Sequence, residues 1–180
     1  NFSGDVTYTI QPVTTENDGD SNTMDPIDVQ FRVTPDAEAI IDENAEALIT
    51  EDSKVRINLH EKLDYIDGDT DERLYEVRIK ASDLDNADFD LFIDGVAIDE
   101  ATGIGPYADG YYVLDEATIK LLEAQPKYHL DGDLGKLEFK YKVIDDSYGD
   151  QQHSDSALQD ISDEKDGEIQ ITAQAVTDEV

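Results

Sequence analysis

The chain has 180 residues, with 45 Asp or Glu against 13 Lys or Arg, a formal net charge of −32. That charge excludes nucleic-acid binding, which needs a basic face. The lack of Cys excludes a disulfide or zinc–thiolate framework, and no 18-residue apolar run exists to span a membrane.

Such self-repulsion opposes a compact state unless cations offset it. Yet hydrophobic residues make up 38%, with nine Tyr and five Phe in regular runs, unlike a disordered acidic tail. In chain order, Val6, Tyr8 and Ile10 alternate with polar residues, as do Ile27, Val29, Phe31 and Val33. This period of two predicts half-buried strands. Further strands are predicted at Val55–Leu59, Leu74–Ile79, Phe89–Ile93, Tyr111–Leu114, Leu137–Val143 and Ile169–Ala173. Asp94-Gly95 is a hairpin turn signal. Asp115 caps a short helix expected to run through Glu116, Ile119 and Leu122, limited by Pro126. The expected fold is all-β: an antiparallel β-sandwich with one short helix and calcium-binding loops.

The chain contains an internal repeat. Gly4-Asp5-Val6-Thr7-Tyr8-Thr9-Ile10 matches Gly135-Lys136-Leu137-Glu138-Phe139-Lys140-Tyr141 position for position. Each copy then enters an acidic, Gly-containing loop and a second alternating strand. Residues 1–36 therefore read as the terminal strands of a preceding or packed module, 37–47 as a junction, and 48–180 as the main module. Two strands alone are not stable in water, so the first segment must pack on something. The loop at 145–168 is longer than its counterpart at 14–26. Inserted length on a rigid scaffold is where binding evolves. The chain opens at Asn1 with neither Met nor a signal peptide, so it is expected to be a piece of a longer protein.

The acidic residues fall in Gly-punctuated clusters. The clearest is Asp67-Gly68-Asp69-Thr70-Asp71-Glu72. Carboxylates at alternate positions of a turn repel unless a hard cation sits among them, and calcium takes six to eight such oxygens. Asp67, Asp69, Asp71 and Glu72 are thus the first candidate metal ligands. Asp18 with Asp20, and Asp145 with Asp146 and Asp150, are further candidates. The run is not an EF-hand: Glu72 stands where Gly is needed and Arg78 where a bidentate Glu is needed. The alternative is a solvated acidic surface, as in a halophilic enzyme, but diffuse acidity does not need Asp-Gly-Asp turns.

Ligand binding is expected at the 145–168 insertion together with the Gly/Pro/Tyr loop before Tyr111. Asp109, Tyr111, Gln152 and Ser154 are the expected contacts. Rigid Tyr side chains suit a contact surface, although Tyr112 fits the core better. No His-x-x-x-His, nucleophile elbow or Cys nucleophile is present, so neither a zinc site nor nucleophilic catalysis is expected. A polysaccharide-active carboxylate pair has no specific support where Asp and Glu are everywhere.

The segment Phe2-Ser3-Gly4-Asp5-Val6-Thr7-Tyr8 with Thr14-Thr15-Glu16-Asn17-Asp18-Gly19-Asp20 resembles repeats of large bacterial RTX adhesins. So does Leu48-Ile49-Thr50-Glu51-Asp52. The resemblance covers about half of the chain. It implies a calcium-dependent, Ig-like or cadherin-like, non-enzymatic module on the surface of a Gram-negative bacterium, with neighbouring adhesin modules as partners. It also implies that Glu51 and Asp52 reach the same end of the sandwich as the 67–72 turn and the junction, which makes Glu51 a further expected metal ligand at a shared site. The longer second module is similar to the peptide-binding domains of these adhesins. There a calcium ion receives the free C-terminus of a peptide or protein on another cell; a glycan is the other ligand class. A purely structural extender is the alternative.

Overall fold

The computed structural model describes residues 3–66, 72–148, 151–152 and 158–176, with the backbone alone at 148, 151 and 152. It is mostly β, in several sheets.

The first four strands, β1 (Gly4–Ile10), β2 (Val13–Thr15), β3 (Ser21–Thr23) and β4 (Ile27–Val33), form one long hairpin. β1 and β4 pair antiparallel from Gly4–Val33 to Ile10–Ile27, and β2 and β3 carry on to the turn at Glu16–Asp20. Paired residues share a face. Val6–Phe31, Tyr8–Val29 and Ile10–Ile27 make one apolar face. The other face carries the Asp5–Arg32 ion pair and a hydrogen bond from the Thr9 hydroxyl to Asp28. The apolar face is open: Tyr8 is 59% and Phe31 45% exposed.

The body continues with β5 (Ile40–Ile41), β6 (Glu46–Thr50), β7 (Val55–Arg56), a 3-10 turn at Leu59–Lys62, β8 (Leu63–Asp64) and β9 (Arg73–Lys80). After the helical turn α1 (Ala81–Leu84) come β10 (Phe89–Ile93), β11 (Val96–Ala97) and β12 (Tyr111–Asp115). Then follow α2 (Glu116–Ile119), β13 (Leu122–Pro126) and the long β14 (Gly132–Asp145). The last strands are β15 (Ser147–Tyr148), β16 (Gln151–Gln152), β17 (Asp160–Ile161) and β18 (Lys165–Gln174).

The larger sheet has the order β12-β9-β14-β18-β6, with β17 beside the end of β14. All its neighbours are antiparallel except β18 and β6, which are parallel. A second sheet has the order β11-β10-β13-β7. Alternate residues of both sheets enter one buried cluster. Leu74, Val77, Ile79, Leu114, Phe139, Tyr141 and Ile169 come from the larger sheet; Phe89, Leu91, Leu122 and Ala124 come from the smaller. Each such side chain contributes about 1.5–3 kcal/mol by leaving water.

The predicted strands are found, with local differences. Leu122 is in β13, not in the helix: it pairs with Ile93, alternates inward with Ala124, and is buried. The run at Val55–Leu59 holds strand geometry only to Arg56, because Leu59 enters the core from the 3-10 turn. Within the 145–168 insertion, Asp160–Ile161 pairs with β14. Asp94 and Gly95 form the expected hairpin turn, both at positive φ. Ala37, Ala39, Ile41 and Ala45 of the expected junction are buried in the body's own core.

The Asp115 cap is as expected. Its Oδ1 accepts the Thr118 N–H at 2.9 Å and the Thr118 hydroxyl at 2.6 Å. These bonds hold the carboxyl below its ordinary range. Asp115→Ala should cost about 1 kcal/mol at neutral pH. A lowered folded pKa stabilises above the unfolded value, so the difference should shrink below about pH 4. Urea denaturation of both proteins at pH 7 and pH 3.5 checks this; an equal gap at both would contradict it.

Candidate functional site

At one end of the larger sheet, acidic residues stand side by side. The β9–β14 register ends at Arg73–Ile144, so the next step sets Glu72 beside Asp145, which in turn pairs with Asp160 on β17. Glu72 and Asp145 are each only 2% exposed. Buried carboxylates are costly unless hydrogen-bonded. Here the donors are backbone and hydroxyl groups. Glu72 accepts the N–H groups of Glu38 and Ala39, the latter at 3.1 Å. Asp160 accepts the Ala37 N–H at 2.9 Å. Asp145 Oδ1 accepts the Ser147 N–H at 2.9 Å and its hydroxyl at 2.7 Å. Lys165 Nζ donates to the carbonyls of Glu38 and Ala39, each at 3.0 Å. The segment 37–39 is therefore clamped by two carboxylates, Asp160 on β17 and Glu72 at the entry to β9, and by Lys165 on β18. The Ser3 hydroxyl donates to the Ser147 carbonyl at 2.7 Å, tying the hairpin to the same end.

Asp146 turns the other way. Both its oxygens meet the Arg73 guanidinium at 2.6 Å, while Arg73 Nε donates to Glu116 at 2.9 Å. Asp146 pushes the Arg73 pKa up. Burial pushes the Glu116 carboxyl up, but hydrogen bonds from Lys120 and Arg73 outweigh it and leave it below the usual range.

The expected metal ligands divide accordingly. Asp67, Asp69, Asp71 and Asp150 lie outside the described residues. Glu72 and Asp145 meet at the acidic end, and Asp146 is engaged by Arg73. Asp18 and Asp20 sit in the β2–β3 turn, where Asp18 Oδ1 accepts the Asp20 N–H at 3.2 Å, an Asx-type bond. Glu51 is elsewhere. Parallel pairing sets Thr50 beside Gln174, and Ala173 pairs with Gly132, so Glu51 belongs to the far end of β14 from Asp145. The separation is about 40 Å at the rise of a strand. Glu51 accepts the Val176 N–H at 2.7 Å, and Asp52 meets His129 Nδ1 at 2.8 Å. The strand pairing thus sets Glu51 and Asp52 apart from Glu72, with which they were expected to share an end of the sandwich; residues 67–71 lie outside the described residues. Oxygen donors such as Glu72, Asp145 and Asp160 suit calcium. Among the described residues no three His, Asp or Glu converge on an ion by themselves. A calcium ion there needs further ligands, and the run at 67–71 leads directly into Glu72.

Toward the opposite end of β9 the outward face of the sheet carries a groove of about 550 Å³. Arg78, Lys80, Lys140 and Tyr111 line it together with six carboxylates, Asp42, Glu43, Asp83, Glu138, Asp166 and Glu168. The register explains the gathering: Tyr111 pairs with Lys80, and Lys140 with both Arg78 and Asp166. Arg78, Lys80, Lys136, Lys140 and Lys142 share this face, five of only 13 cations in the chain. Arg78 is the hub. It bonds Asp109 and, at 3.2 Å, Glu164, and it lies 4.9 Å from the Tyr111 ring centre. Lys140 donates to the other Glu164 oxygen at 3.0 Å, and this bond holds the Glu164 carboxyl below its ordinary range. Lys80 has no ion-pair partner among the described residues.

Of the expected ligand contacts, Asp109 and Tyr111 are brought together on Arg78. Gln152 pairs through its backbone with Ser147, just beyond Asp145. Lys140, level with Arg78, precedes Ser147 by about seven strand steps, roughly 23 Å. Ser154 lies outside the described residues. Arg78, Lys80, Lys140 and Glu164 were missed. Their signal was present as alternate cations in two strands of a cation-poor chain.

Comparison with protein-family models, with curated proteins and with solved structures finds no match to this chain.

Breaking the Arg73–Asp146 pair should be severe, because Asp146 is 8% exposed at its side chain. Arg73→Ala should cost about 3–5 kcal/mol, and Arg73→Met with Asp146→Leu should recover most of it. Guanidinium denaturation checks this. A single variant that loses under about 1 kcal/mol would show that the pair is solvated in solution.

Proposed function

We propose that this chain is a calcium-dependent ligand-binding module of a bacterial cell-surface adhesin. It is non-enzymatic and built as an Ig-like or cadherin-like antiparallel β-sandwich. One observation carries the reading: Glu72, buried at the entry to β9, and Asp160 on β17 hold the junction at 37–39 with buried Asp145 on the strand beside them, and in sequence the acidic run at 67–71 leads into Glu72. Calcium bound there would offset the like charges and lock the hairpin's attachment to the body. Weak calcium sites fit the extracellular medium, where the ion is abundant.

The ligand surface in this reading is the groove over β9 and β14. Tyr111 stacked near Arg78 offers a rigid, amphipathic contact, and Lys80 offers a charge for a ligand carboxylate. A peptide with a free C-terminus suits both. Calcium then acts on the scaffold, because Arg78 stands six residues along β9 from Glu72, about 20 Å.

Two measurements test this. Melting should rise with calcium and fall with excess chelator, by mass action on the folded state; an unchanged melting temperature would refute calcium dependence. Peptides with free C-termini should bind more tightly than amidated ones, and Lys80→Ala should weaken the free form by about tenfold, as for a lost charge-assisted bond. Equal binding of both forms would refute carboxylate recognition. No binding of either would leave a structural extender.

A further inference from the structure

We propose that the open apolar face of the β1–β4 hairpin docks an antiparallel sheet of the kind that β10 and β13 form, presented by a tandem module. The inference does not depend on calcium.

The hairpin reproduces the β14–β18 pair in register as well as in sequence. Val6–Phe31 stands where Leu137–Ile169 stands, and Tyr8–Val29 where Phe139–Gly167 stands. The first exchange conserves paired volume, the kind of change a packed interface tolerates, whereas the second enlarges the pair. Where the body has Gly167, an added Cβ would come within 2.9 Å of the Phe139 and Tyr141 rings. The hairpin has Val29 there, and Tyr8 instead stacks on Phe31 with ring centres 5.6 Å apart. The burial is reversed. Leu137, Phe139 and Ile169 are at most 5% exposed beneath the second sheet, whereas Tyr8, Val29 and Phe31 are 44–59% exposed.

Contiguous exposed apolar residues on one sheet face mark an interaction surface. The repeat indicates the occupant: the apolar inner face of a sheet such as that bearing Phe89, Leu91, Leu122 and Ala124.

The test places a duplicate of residues 37–131 ahead of Asn1. Asn1 aligns with Gly132, so the body's own spacing is kept. Amide hydrogen exchange is read at 4–10 and 27–33. In the chain alone, as a monomer, these amides should exchange at least about 100-fold faster than those of Leu137–Tyr141; in the extended chain they should become protected to a similar degree. A second variant grafts the hairpin residues into the body as Leu137→Val, Phe139→Tyr and Ile169→Phe, and should keep a cooperative melt within several degrees of the parent. Three results would overturn the proposal: full protection in the unextended monomer, dimerisation abolished by Tyr8→Ser with Phe31→Ser, or fast exchange persisting in a folded extended chain. Should the added segment not fold, loss of folding in the graft overturns it and retention supports it.

Discussion

The larger sheet is registered against one strand. β14 is 14 residues long and pairs with β9, β18 and β17. Its inward residues, Leu137, Phe139, Tyr141 and Val143, fill the core. Its outward residues Glu138 and Lys140 floor the groove. Its end, at Asp145 and Asp146, builds the acidic cluster. A slip of one residue would turn every one of these side chains to the wrong face. The irregularities at Asp133–Lys136 and Lys142–Val143 take up the mismatch between neighbours, so one strand serves a buried centre and two charged surfaces.

The charge of −32 is not spread evenly in its effects. At the acidic end Glu72 and Asp160 accept backbone N–H groups of the junction, and the Ser3 hydroxyl bonds the Ser147 carbonyl, which ties junction, hairpin and body together. Far along β9, the few cations gather and are held by Asp109, Glu164 and Asp166. The groove sets three cations, Arg78, Lys80 and Lys140, among six carboxylates, so an anionic group there has to be met by one specific cation and not by a general positive field.

Much of the architecture was legible in the sequence because period-two alternation survives in every long strand, and because Asp115 and Asp94-Gly95 act locally. Leu122 was misplaced because a spacing of three fits a helix as well as the start of a strand. The end at which Glu51 lies was not legible. It depends on β6 running parallel to β18, and alternation carries no information on strand direction. The repeat at Gly4 and Gly135 was legible and correctly foretold the hairpin. The Arg78 hub was not, since Asp109, Tyr111 and Glu164 are distant in sequence and meet only through the pairing of β12, β9 and β14.

The central claim is that one end of the sheet is a cation-organised junction. Backbone NMR shifts followed through a calcium titration test it most directly. The account predicts saturable shifts concentrated at residues 36–39, 72, 145–147 and 160, with little change at Glu51, Asp52 or the β2–β3 turn. Weak, unsaturable shifts scattered over the acidic surface, or none at all, would contradict it.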